Sequence, residues 1–388
     1  MMRTVQHSVG WRYRFFEIFT CVYIFLSGFV FIEPSPAEFW FILAVPIFLI
    51  GFKTTHKILA LFALIFLPML VSTYVGVAQS GLFNQRFFMI DIYLFLLFFL
   101  LSSYMHTISK SADFDSYLDT LMRFWSIAGA INVLAGLFAY ATGKTTLFGA
   151  NVIRFGVRLT GFFKDPNVLG PFLVPIAVYF LMRFIERKGK AYLNLLLFFF
   201  FSYGVLLTFS RAAWLNYFTA VIILNLASVT TKKKKTRLQV IALLLFISVM
   251  SIFFWELAGN IEIFNTNLRE FILARARFQG YDEQRFEAQS EFVNILTRSN
   301  IFFGAGPGNY EAFTAYSTHS LLVRYIGERG IFGFCTFLVF LLTVAFKTSK
   351  SKHRNFLIPV ILGQLANSFF IDSLHWRHLW ILLVLSLF

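Results

Sequence analysis

Charge is scarce in this sequence. Asp, Glu, Lys and Arg make up 14% of its 388 residues, against about a quarter in an ordinary soluble chain. Acids are the scarcer kind, 19 against 34 Lys and Arg. With 58% hydrophobic residues and 54 Phe, one core could not hide the apolar surface from water, whereas lipid accepts it. Cysteine is nearly absent too. Cys21 and Cys335 both fall inside apolar runs, which excludes a disulfide framework and a cysteine-based zinc site. The first apolar stretch, 15–32, lacks a small-residue cleavage site and is followed by more of its kind, so it reads as an uncleaved span. No internal repeat is present.

What the chain does have is a series of apolar runs near the roughly 20 residues that a membrane span needs. They lie at 15–32, 37–52, 57–75, 87–108, 123–141, 167–184, 192–209, 211–228, 238–257, 319–346, 356–373 and 376–388. The expected fold is therefore all-α: one polytopic membrane domain over 1–388, with about twelve helices. A large, partly helical loop at about 258–318 precedes the tenth span, and a shorter polar stretch occupies 142–166.

Basic residues set the orientation. With both termini in the cytoplasm, 20 of the Lys and Arg fall inside and 14 outside. The net charge of +15 thus reflects topology, and no nucleic-acid partner is implied. The kind of base is more informative. Inside there are 12 Lys and 8 Arg; outside there are 2 Lys and 12 Arg. Topology treats the two alike, but a guanidinium is a flat fork of donors suited to phosphate and carboxylate. The plain explanation is that outer Arg residues at 269–298 pair with the acids of the long loop. It serves less well for Arg158, Arg211 and Arg377, which sit at span ends with few acids nearby in sequence.

Four stretches carry candidate chemistry. Arg158 opens RLTGFFKDPNVLGPF, in which Asp165, Pro166 and Asn167 read as a turn and helix start. Ser210-Arg211 interrupts two apolar runs, and a charge there either serves function or snorkels to headgroups. In residues 304–333, Gly304, Gly306 and Gly308 suggest tight turns at the membrane surface; no strand precedes them, so they do not form a phosphate loop. Thr318 is an expected N-cap that puts His319 in the first turn of the tenth span. The helix field there favours neutral imidazole, a state able to accept a proton. Arg324 and Glu328 follow at a spacing that suits mutual neutralisation. Finally, DSLHWRHLW gathers Asp372, His375, Arg377 and His378 at the outer end of the last helical pair, where an aromatic belt with snorkelling bases is the plain reading. A rival motif faces inward: Asp113-Phe114-Asp115 has the acid-x-acid form of metal-dependent glycosyltransferases. It reads more simply as part of an amphipathic interfacial helix, so no metal site is expected.

Three of these stretches, Arg158 to Asn167, Ser210-Arg211 and Gly304 to Gly333, resemble the O-antigen ligase and polymerase superfamily of bacterial membrane glycosyltransferases. Its ligases show an Arg followed four residues later by Leu, as Arg211 and Leu215 are here. They also show His, then Asn, Ser or Gln, nine residues, Gly, two residues and a small or Tyr position; here His319, Ser320, Gly330 and Gly333 match. The resemblance implies metal-independent, cofactor-free, inverting transfer of a glycan from undecaprenyl diphosphate to an acceptor, on the periplasmic face of the inner membrane. By it, Arg158 and Arg211 hold the diphosphate and His319 orients or deprotonates the acceptor hydroxyl. Arg324, Arg377, Asn167, Ser210 and His375 contact substrate. The match at 319–333 favours a ligase acting on lipid A-core over a polymerase of O-antigen, capsule or exopolysaccharide. A flippase or other transporter is disfavoured, because such proteins place polar groups at mid-membrane in repeated, broken helices.

Overall fold

The structure is a computed structural model and describes residues 2–50, 52–108, 113–231 and 255–388. Most of the ninth expected span, 238–254, and the lysines at 110 and 232–235 lie outside the described residues. The apolar runs fold as α1 (Met2–Leu26), α2 (Pro36–Leu49), α3 (His56–Ser80), α4 (Gln85–Ile108), α5 (Phe114–Thr142), α6 (Pro166–Ile185), α7 (Ala191–Leu207) and α8 (Arg211–Thr231). The long loop carries α9 (Leu268–Ala276), α10 (Gly280–Ser290) and α11 (Phe292–Arg298), with α12 (Leu321–Lys350), α13 (Arg354–Ser368) and α14 (Arg377–Leu385) after it. The described strands form three two-residue hairpins, two of them within 146–159 and one at 262–267.

Among the described residues, α3, α4, α5, α6 and α12 are long and apolar enough to cross a membrane. Large apolar side chains such as Leu43, Leu196 and Leu342 point outward. In water such a surface would aggregate; in lipid it costs nothing. This is an all-α membrane protein.

Two expected elements shift. The first helix ends at Leu26, well before 32. Beyond it the Gly28 carbonyl accepts from Asn132 Nδ2 (3.0 Å) and Val30 N–H donates to the Phe162 carbonyl (2.8 Å), so tertiary bonds replace helical ones. The segment around Asp113 is not a separate interfacial helix but the start of α5. Asp113 Oδ1 caps it by accepting from Asp115 N (3.2 Å) and Ser116 N (3.3 Å), and Asp115 pairs with Lys352. The acid-x-acid motif is thus a cap and an ion pair.

Two close approaches of backbone shape the outer end of the bundle. The middle helix α6 is buried along almost its whole length and packs against α7, α8 and α13. At Gly170 a Cβ would come within 2.4 Å of Ala213 Cβ, so the first turns of α6 and α8 lie side by side. In α12 the helix breaks at Gly330 (φ 67°). The freed carbonyls of Gly327 and Glu328 accept from Ala305 (3.1 Å) and Gly306 (2.8 Å). Gly304, Gly306 and Gly308, all at positive φ, supply the expected tight turns.

Candidate active site

The abutting starts of α6 and α8 open into a cleft of about 830 Å³, over which α9 and α10 fold. Asn167, Arg211, Arg275 and Arg285 line it with a single acid, Asp282; Leu215, Phe278, Phe286 and Phe370 supply apolar walls. Asn167 is fixed from both sides. Asp165 Oδ1 accepts from its N–H (2.7 Å), and its own Oδ1 accepts from Arg158 Nη2 (2.9 Å). Arg158, buried just behind, also donates through Nε to the Thr208 carbonyl (2.9 Å). Burial, then the charge of Arg275, lowers the Arg158 pKa to about 10, so it stays cationic at neutral pH.

The pairing of these arginines differs from the plain expectation. Arg211, expected to lack acids, is held by Asp282, 71 residues away, and donates to Tyr281 Oη (3.2 Å). Arg377 is likewise paired with Glu38. The loop arginines expected to pair with loop acids do not: among the described residues none of those at 269–298 makes an ion pair, and the loop acids Asp282 and Glu311 go to Arg211 and Arg324 instead. Among the described residues Arg275 and Arg285 make no ion pair: Arg275 donates to the Phe209 carbonyl (3.2 Å) and Gln279 (3.2 Å), and Arg285 stacks over Tyr281 at 4.9 Å. Burial and neighbouring Arg211 lower the Arg285 pKa. Arg158 also has no carboxylate partner among the described residues. The cleft therefore concentrates guanidinium charge that the protein itself leaves largely uncompensated.

His319 does not line this cleft, but the charges of Arg285 and Asp165 reach it. The N-cap of α12 is Ser320, whose Oγ accepts from Val323 N (3.4 Å), so His319 precedes the cap instead of occupying the first turn after Thr318. The imidazole is half-buried and has no hydrogen-bond partner among the described residues. Burial, then Arg285 and Arg324, lowers its pKa. The shift favours neutral imidazole, with desolvation rather than the helix field as its main cause.

Other expected ligand contacts lie elsewhere. Ser210 is fully buried and its Oγ accepts from Ala213 N (3.3 Å), capping α8 beneath the cleft. Arg324 is ion-paired with Glu311, Glu328 (3.2 Å) and Asp372 (3.0 Å), so its charge is already met by three carboxylates in this arrangement. It belongs to a buried network that continues from Glu328 to Arg329 (3.3 Å), to Asp91, and to His375 (3.3 Å). Despite burial, which pulls it down, the bond to Asp91 and the charge of Asp372 raise the His375 pKa. His375 and Arg377 line a second cleft. No motif in the sequence marks Asp91 or Arg329. A signal exists all the same: Asp91 is a lone acid within an apolar run, where a charge demands a partner.

Residues 196–338 match the O-antigen ligase family. The matched stretch, under half of the chain, runs from α7 into α12 and holds Arg211, Arg275, Arg285, His319, Gly330 and Gly333. It supports the resemblance to the O-antigen ligase and polymerase superfamily drawn from the motifs. Arg158, Asn167, His375 and Arg377 lie outside it. No curated protein matches the chain.

Within this ligase-like stretch the paired glycines have distinct jobs. A Cβ on Gly330 would fall 2.3 Å from the Phe302 backbone, so it lets the 301–306 turn dock into the helix break. A Cβ on Gly333 would meet Arg329 Cβ at 2.5 Å, so it makes room for the base of the buried Arg329 side chain.

Proposed function

We propose that the chain is a metal-independent, inverting glycosyltransferase of the inner membrane, with about twelve spans, cytoplasmic termini and its site facing the periplasm. The donor is a glycan on undecaprenyl diphosphate. The acceptor hydroxyl, its proton passing to neutral His319, attacks the anomeric carbon from the side opposite the diphosphate. The anomeric C–O bond breaks and its electron pair leaves on the diphosphate oxygen. Charge builds on that leaving group, and preorganised donors in a site of low polarity stabilise such charge most. In this reading Arg211, Arg275 and Arg285 serve that task, with Asn167 steadied by Arg158. The observation that carries this reading is that Arg275 and Arg285 line the cleft without carboxylates of their own, with Arg158, also lacking one, buried behind Asn167.

The motif at His319–Gly333 favours transfer to lipid A-core, the ligase reaction; polymerisation of lipid-linked chains is the alternative. Reconstitution with lipid-diphosphate glycan, with and without lipid A-core and in the presence of EDTA, tests this. Glycan on lipid A is the expected product. A ladder of longer lipid-linked chains would mean polymerase, and loss of transfer in EDTA with rescue by a divalent ion would overturn the mechanism.

A pH profile tests His319. A base of lowered pKa works until pH falls through that value, so the acid limb of kcat/KM is expected below the ordinary imidazole 6.5. Arg285→Gln removes a neighbouring positive charge and should move the limb to higher pH, whatever it does to the maximal rate. A limb that stays put would dissociate His319 from the titration.

A further inference from the structure

On the other side of the α13–α14 connector lies a second and larger cleft, of about 1590 Å³, between α2 and α4. The connector, residues 369–376, is shared. Phe370 and Ile371 face the arginine cleft, while His375 faces the second, as does Arg377 immediately after it. The connector is firmly held: Ser368 and Ser373 hydroxyls bond at 2.6 Å, Asp372 meets Arg324 Nε at 3.0 Å, and Trp380 Nε1 donates to the Leu374 carbonyl at 2.7 Å. The buried ionic network thus anchors a wall between two clefts.

The second cleft is two-sided in character. At its rim Glu33 serves both Arg86 and Lys164 (3.1 Å), and Glu38 serves Arg377, so three fixed cations face two carboxylates, with His375 beside them. Its walls are apolar, from Phe41 and Ile42 of α2 and Met89 and Ile92 of α4. Ile42 and Met89 are 63% and 55% exposed, so the cleft opens through the flank where lipid lies. A soluble sugar nucleotide finds no use for such walls, whereas an acyl chain does.

We propose that this cleft binds an acylated phosphoglycolipid side-on from the bilayer, its phosphate at Arg86, Lys164 and Arg377 and its chains against α2 and α4. In the reaction proposed above, on which this role rests, that lipid is the acceptor. The donor goes to the other side of the wall, because uncompensated guanidinium groups suit a diphosphate better than cations already paired. Two amphiphiles then enter from separate flanks and meet over the connector.

Site-specific photocrosslinking of the full chain in nanodiscs tests this without turnover. A benzophenone side chain replaces Met89 in one variant and Leu215 in another. The probes are bis-phosphorylated lipid A, its dephosphorylated form and undecaprenyl diphosphate. Bis-phosphorylated lipid A is expected to label at Met89 and not at Leu215, with labelling weakened about tenfold or more by Arg86→Glu with Lys164→Glu, while undecaprenyl diphosphate labels at Leu215. Equal labelling by the dephosphorylated form, no labelling at Met89, or preferential labelling there by undecaprenyl diphosphate would overturn the proposal. Failure of undecaprenyl diphosphate at Leu215 would instead strike the donor site proposed above, so the two failures are separable.

Discussion

Arg211→Lys is expected to lower kcat for transfer about a hundredfold, in the range seen when one preorganised donor to a developing anion is lost, while the protein still accumulates in the membrane and purifies normally. The asymmetry arises from its surroundings. Asp282 and Tyr281 take the Nη2 end of the guanidinium and fix its plane, and only a long 3.4 Å bond runs from Nη1 to the Arg277 carbonyl. The remaining donors are left for a ligand. Lysine keeps the ion pair with Asp282 and so keeps α10 over the cleft, but its ammonium is a point charge and offers no second, coplanar donor. Turnover within twofold of the parent in the reconstituted assay would remove Arg211 from the diphosphate site.

Asp91→Ala is expected to act on folding rather than on chemistry. Asp91 and Arg329 are each 1% exposed and bonded to one another. Removing the acid leaves the buried Arg329 guanidinium with Glu328 alone (3.3 Å) and takes a carboxylate from His375, and breaking a buried pair in this way costs about 3–5 kcal/mol, a large part of a typical stability of about 5–15 kcal/mol. Thermal unfolding in detergent should show a large loss of stability or no recoverable folded protein. Replacing both partners, Asp91→Leu with Arg329→Leu, removes the two opposite charges together and leaves Glu328 with Arg324 as its counter-charge, so it should restore part of it. An unaltered melting transition for Asp91→Ala alone would contradict the network as described.

Much of the helical framework is legible in the sequence because apolar runs of span length admit few other structures. The start of α6 is legible because Asp165-Pro166-Asn167 is a local cap, and local caps depend on neighbours in sequence. The partners of the charges are not. Arg211 finds Asp282 across 71 residues, Arg377 finds Glu38 across 339 and Arg329 finds Asp91 across 238, and no spacing rule reaches that far. Hence Arg324, a candidate for its position near His319, is bound up among three carboxylates, while Arg275 and Arg285, expected to meet loop acids, stand over the cleft without them. The cap of α12 falls on Ser320 rather than Thr318, two hydroxyls two residues apart that are both competent caps, a choice the local sequence leaves open.

The central claim is that a departing lipid diphosphate rests among these arginines. An experimentally determined structure of the protein in nanodiscs with undecaprenyl diphosphate bound tests it directly. The phosphates should lie within hydrogen-bond reach of Arg211 and Arg285, beside Asn167 and near His319. A diphosphate seated away from that cleft, with those guanidinium groups unchanged, would contradict it.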